Sequence, residues 1–238
     1  FRKYSIGSQM GVTDPLPMGF DHWYGMYSIL EGHLQYPQIL LRDGKKLRIE
    51  AKESGNKCAY EQELFAREAI NNISEPRENP FFVFLAFSSP HAELAAPLEY
   101  VKQYQGQFAE APYLGMSTGS ASDKYAWYYP EPVEKPHATL AAMVTALDAY
   151  VGRIVTTLEA QGSLDNTLIL FSSDNGPHDE AGHDLDRFSP SGPLRGIKRA
   201  LYEGGIRVPT IAWWPGTVPA GTTTDHIGYF GDWMATAA

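Results

Sequence analysis

The chain has 238 residues, 43% of them hydrophobic and 20% charged, with a formal net charge of −9 at pH 7. That composition is ordinary for a globular domain and excludes disordered and coiled-coil architectures. The acidic balance, without a long Lys/Arg run, excludes a general nucleic-acid binder, because affinity for a polyanion comes largely from neutralising phosphates, so any anion site must be local.

Cys58 is the only cysteine, which rules out an internal disulfide and a paired-cysteine zinc site. Neither a signal peptide nor an apolar run of about 18 residues is evident, so no membrane partner is expected. The chain opens on Phe1-Arg2-Lys3 rather than Met, and Asp232 to Ala238 reads as the first turn of a helix with Asp232 as N-cap. The expectation is one domain over residues 1–238, cut at both ends.

In chain order, the first predicted helix spans Tyr60 to Ile73, with Tyr60, Leu64, Ile70 and Ile73 among Glu and Arg residues, and stops near Pro76. The run Phe81 to Phe87 predicts a strand. Tyr104 to Pro136, rich in Gly, Ser, Pro and Tyr, has no helical or strand period and predicts a long surface excursion. A second helix is predicted over Ala138 to Ala160, where Leu140, Val144, Leu147, Val151, Ile154 and Leu158 form one stripe. Thr167 to Phe171 and Thr210 to Trp214 predict two further strands. None of the three runs alternates polar with apolar, so each is expected to be buried on both faces, as in a parallel sheet covered by helices. The order of elements is that of an α/β protein.

Polar residues follow two of these strands. Phe87 leads into Ser88-Ser89-Pro90-His91, and Phe171 into Ser172-Ser173-Asp174-Asn175-Gly176-Pro177-His178. Ligands of open α/β sheets bind outside the carboxyl ends of the strands, which places both turns on the functional edge. Asp174 and Asn175 offer the oxygen donors that hard cations prefer, although turn chemistry alone is the commoner reason for such a pair. From Gly192 to Pro209 the cations Arg195, Lys198, Arg199 and Arg207 stand among glycines. Lysine supplies a point charge for an oxyanion and glycine permits close backbone approach; a solvated basic loop is the other reading.

Several long motifs in order resemble the sulfatase family: Gly19-Phe20-Asp21-His22-Trp23-Tyr24-Gly25, the segment Pro80 to His91, and a nearly continuous block from Leu147 to Gly216. The resemblance implies an alkaline-phosphatase-like α/β fold with a largely parallel sheet and helices on both faces. It also implies hydrolysis of sulfate esters with Ca²⁺ and a formylglycine nucleophile. Lys3, in Lys3-Tyr4-Ser5-Ile6-Gly7, matches a sulfate-contacting lysine. His91 matches a histidine that meets the sulfate or the leaving oxygen, Lys198 matches the second sulfate-binding lysine, and Asp174 and Asn175 match two metal ligands. Glu203 and Arg207 are taken as supports.

The chain departs from the pattern at two places. Ser5 stands where many members have His, which leaves the base for sulfate release open. The Cys-x-Pro-x-Arg motif and two N-terminal aspartates are missing, and Cys58, followed by Ala59-Tyr60-Glu61-Gln62, does not supply the motif. The formylglycine is therefore expected outside this chain, in a parent of which this is a fragment, inactive alone. The implied substrate is a sulfated small molecule or carbohydrate, and the implied location periplasmic or secreted. The Tyr125 to Tyr129 stretch, His178, Glu180 and His183 are candidates for the leaving-group side. A phosphodiester or phosphonate hydrolase of the same superfamily, and a non-catalytic binder of sulfated glycans, are the alternative readings.

Overall fold

A computed structural model describes residues 2–3, 15–27, 31–50, 59–115 and 132–237. Two helices organise it. Helix α1, Glu61–Ser74, begins after an extended Tyr60 and ends at an extended Glu75, the conformation that the following Pro76 favours. Its buried Leu64, Phe65, Ala66, Ala69 and Ile73 recur at the helical spacing of one face. The long helix, which follows the four-residue α2 (Leu98–Val101), is α3, Pro136–Ala160. It opens on Pro136, whose absent N–H would have no intrahelical partner there.

The buried face of α3 is rotated from the predicted stripe. Met143, Ala146 and Tyr150 are buried together with Leu140, Ile154 and Leu158, whereas Val144 is half exposed. The reason is tertiary. Tyr150 and Ala146 pack with Tyr60 and Ala66 of the α1 region, while Ile154 and Leu158 meet Ile73, so contact with α1, rather than apolar spacing alone, selects the inward side. Contrary to the sequence expectation, α3 has the length and apolarity of a membrane span. These buried contacts account for that composition in a core helix.

A four-stranded sheet in the order β1-β2-β3-β4 joins Arg2–Lys3, Tyr24–Met26, Ile39–Arg42 and Lys45–Arg48. β1 runs parallel to β2, and the other pairs are antiparallel. His22 pins this sheet to α1: one ring nitrogen meets Asp43 at 2.9 Å and the other Glu68 at 3.0 Å. Leu40, Tyr24 and Met26 pack on Leu64 and Phe65 beneath.

The three apolar runs depart from the expected largely parallel sheet. Phe81 to Phe87 is extended but belongs to no ladder among the described residues. Its odd-numbered side chains pack against Ile73, Ile154 and Leu158, while Phe82 is 76% and Phe84 59% exposed. β5 (Ile169–Ser172) and β6 (Thr210–Trp213) pair antiparallel, Ile169 opposite Trp213 and Ser172 opposite Thr210. β6 is exposed along its length. Uniform apolarity reports a demand for cover on two faces, and the described residues supply helices on one side at most. The short helices α4 (Leu185–Phe188), α5 (Glu203–Ile206) and α6 (Gly231–Ala237) complete the elements. Tyr113 and Val133 bridge antiparallel across a segment that contains the Tyr125 to Tyr129 stretch. That stretch, like Ser5 and Cys58, lies outside the described residues.

Candidate active site

The turn after the extended 81–87 run is held from behind by a buried polar network. Ser88 Oγ donates to Glu61 Oε1 at 2.6 Å and accepts from Gln62 Nε2 at 2.6 Å, and Gln35 Nε2 donates to the His91 carbonyl at 3.3 Å. Polar groups this deeply buried are costly unless paired. The start of α1 thus fixes where His91 stands.

His91 is neutral. Its Nδ1–H donates to the Ala92 carbonyl, and its Nε2 accepts from Lys198 Nζ at 2.8 Å. Burial, opposed by the Ala92 bond and reinforced by Lys198, pushes its pKa down from 6.5 to about 4. The His33 ring packs edge-on against it with centroids 4.5 Å apart; no sequence signal pointed to His33. His178 has its ring centroid 5.5 Å from that of His91. Its Nε2–H donates to the Pro90 carbonyl and its Nδ1 accepts from the Glu180 N–H, both at 3.1 Å.

Lys198 reaches this place because the glycine-rich segment is stitched to the turn after β5. The Lys198 N–H donates to the Pro177 carbonyl at 2.7 Å, and the Gly176 N–H to that of Gly205 at 2.9 Å. A Cβ on Gly176 would lie 1.9 Å from the Gly204 oxygen, and one on Gly204 would lie 2.1 Å from the Gly196 oxygen. These glycines therefore allow backbone to approach backbone, not a ligand. Burial lowers the pKa of Lys198, against the opposing pull of Glu180 and Asp174.

Glu180 binds the cluster together. Its carboxylate, with only 8% of the side chain exposed, receives Arg199 at 2.5 Å on Oε1 and faces Lys198 at 3.7 Å on Oε2. The same Oε2 lies 3.9 Å from both His91 Nε2 and His178 Nδ1. The sequence placed His178 and Glu180 only among candidates for the leaving-group side; the fold sets both against His91.

Asp174 and Asn175 stand just past β5. Asp174 is exposed, and the Asn175 amide nitrogen donates to the Gly176 carbonyl at 2.9 Å, which leaves its oxygen for a cation. Two hard oxygen donors suit Ca²⁺, but they fill only part of a shell of six to eight. No group of three or more acidic, His or Cys ligands occurs among the described residues. Lys3 pairs by its backbone with Met26, and its side chain lies outside the described part. Glu203 and Arg207 form an exposed pair at 3.6 Å, an arrangement worth little to stability.

A titration prediction follows for the buried rings. Because the pKa of His91 is lower folded than unfolded, the unfolded chain binds protons more readily below pH 6.5. Stability should therefore fall as pH drops from 6.5 towards about 4. The lowered pKa values of His178 and His183 act in the same direction. Urea unfolding of the full-length protein at several pH values checks this, and His91→Gln should flatten the slope.

A lysine in contact with a neutral histidine, beside a turn that carries two oxygen donors, is an arrangement suited to holding an anion. The family model for sulfatases matches residues 8–238, and the chain belongs to the sulfatase family. It is 27% identical over 239 residues to N-acetylgalactosamine-6-sulfatase of Mus musculus, covering 94% of this chain and 38% of that protein. It is 26% identical to an arylsulfatase of Klebsiella aerogenes, covering 76% of this chain and 44% of that one. Among solved structures, Ps i-CgsB in complex with k-i-k-neocarrahexaose is similar with a TM-score of 0.66 and 27% identity, over 92% of this chain and 45% of that one. The chain thus spans less than half the length of these relatives.

Proposed function

We propose that the full-length protein hydrolyses sulfate esters of a carbohydrate. The observation that carries this reading is the contact of 2.8 Å between Lys198 Nζ and His91 Nε2, placed where the turn bearing Asp174 and Asn175 meets the glycine-rich segment. A sulfate ester already carries negative charge on its outer oxygens and develops more on the bridging oxygen as the S–O bond breaks. Lys198 would hold the outer oxygens. His91, whose Nδ1–H stays on the Ala92 carbonyl, would take a proton from the Lys198 ammonium at Nε2 and deliver it from that same nitrogen to the bridging oxygen, leaving Lys198 as the neutral amine. Lys3 is the second lysine of the set.

Asp174 and Asn175 would hold Ca²⁺ together with ligands beyond those described; the ion supplies charge neutralisation at the sulfate. A formylglycine on a residue outside this chain would supply the nucleophile. The carbohydrate assignment is supported by one relative named N-acetylgalactosamine-6-sulfatase and another solved in complex with k-i-k-neocarrahexaose. In the full-length protein the apolar runs 81–87, β5 and β6 would enter a larger α/β sheet, as their two-faced apolarity demands.

The full-length protein, with formylglycine confirmed by mass spectrometry, should turn over nitrophenyl sulfate far faster than nitrophenyl phosphate. A phosphate monoester brings an extra negative charge that two metals suit better than one. The reverse preference would favour the phosphodiester or phosphonate reading, and no turnover of either would leave a sulfated-glycan binder. Asp174→Ala should abolish turnover with the melting temperature nearly unchanged, since the side chain is exposed. Wild-type rates in that variant would remove Asp174 from the site.

A further inference from the structure

Lys198 and Arg199 are consecutive, yet both side chains meet one carboxylate. Successive side chains of an extended strand point to opposite sides; here Arg199 has φ 75°, a left-handed turn uncommon for a residue with a Cβ. That turn brings both cations to Glu180. Arg199 takes Oε1 at 2.5 Å, and Oε2 faces Lys198 at 3.7 Å, with the two imidazoles next in distance. His178 has both ring nitrogens engaged by backbone groups, and His91 already accepts from Lys198. Lys198 is the cation that Oε2 faces, at 3.7 Å.

Building on the sulfate-hydrolase reading above, we infer that Glu180 is a positioning residue for Lys198: Arg199 anchors one carboxylate oxygen, and the other keeps the Lys198 ammonium on its line to His91. A buried carboxylate against two cations leaves the cluster with one net positive charge while both imidazoles are neutral, which matches a monoanionic ester. A surface ion pair would not need the second oxygen turned inward, nor a side chain exposed by only 8%. The electrostatic influence of Glu180 favours the charged form of Lys198 against burial, in keeping with this role.

A double-mutant cycle of Glu180→Gln and Lys198→Ala in the full-length protein tests it, with inorganic sulfate binding by calorimetry and kcat/KM on an aryl sulfate as readouts. Glutamine keeps an oxygen for Arg199 and removes the charge. With Lys198 present, Glu180→Gln should weaken sulfate binding and lower kcat/KM by about 10-fold, the scale of coupling between touching residues. In the Lys198→Ala background it should weaken neither, because there is no ammonium left to hold. Equal losses in both backgrounds would show a structural role and overturn the inference, as would no loss with Lys198 present. Should Glu180→Gln melt before assay temperature, Glu180→Asp replaces it in the cycle; it keeps the charge and withdraws the carboxylate by one methylene, and the same two outcomes apply. A wild-type protein that binds sulfate but turns over no sulfate ester fails the hydrolase reading alone, and the binding cycle still decides Glu180.

Discussion

Lys198→Ala in the full-length protein is expected to lower kcat/KM for sulfate esters by about 10²–10³-fold, the scale seen when one preorganised oxyanion contact is lost. The expectation rests on placement. Lys198 is drawn into the cluster by the backbone bond to Pro177 and by Glu180, with 16% of its side chain exposed, so its charge is aimed before substrate arrives. The neighbouring cation does not replace it, since Arg199 is engaged with Glu180. Lys198→Arg should recover little, because a planar fork cannot occupy the site of a compact ammonium and would meet His91 with the wrong geometry. Steady-state kinetics of the two variants on nitrophenyl sulfate check this. A wild-type rate in the alanine variant would reduce the glycine-rich segment to a structural loop.

His91→Ala separates two roles for the ring. With its proton on Nδ1 bound to the Ala92 carbonyl, His91 can relay a proton only at Nε2, taking it from Lys198 and giving it from the same nitrogen to a leaving oxygen that replaces the lysine there. Loss of such a relay should cost esters of poorly departing sugar alcohols about 10²–10⁴-fold, the usual worth of general acid catalysis. An activated aryl sulfate should lose far less, because a stable phenolate needs little protonation in the transition state. The measurement is log kcat/KM against leaving-group pKa, for wild type and variant. A steeper dependence in the variant supports proton delivery. A flat ratio means that His91 only clamps the sulfate, leaving Lys198 as the proton donor by itself.

Much of this protein was legible before any coordinates. The helices at 61–74 and 136–160 follow from apolar spacing and from prolines near their ends, both of which act over one or two turns. The sulfatase resemblance, carried by long ordered motifs, named Lys3, His91, Asp174, Asn175 and Lys198, and the fold brings His91 and Lys198 into contact across 107 positions of sequence. Composition argues against a general nucleic-acid binder, because net charge is a property of the chain and not of its shape.

Other features were decided only in three dimensions. Apolarity identified 81–87, 167–171 and 210–214 as chain that seeks cover, but it carries no direction, and the pairing of β5 with β6 is antiparallel. The inward side of α3 turned towards Ala146 and Tyr150 because α1 lies there, a contact between residues some 80 apart in the chain, and towards Met143 because Ala92, Leu94 and Val133 pack on it. The glycines of 192–209 suggested a cradle for a ligand, whereas their missing Cβ atoms make room for neighbouring carbonyls. His33 had no pattern to announce it, and Glu180 was marked only as a candidate for the leaving-group side. A site residue of that kind is defined by what surrounds it: a carboxylate becomes the partner of two cations and a histidine becomes neutral through burial and hydrogen bonding, and neither condition exists until the chain has folded.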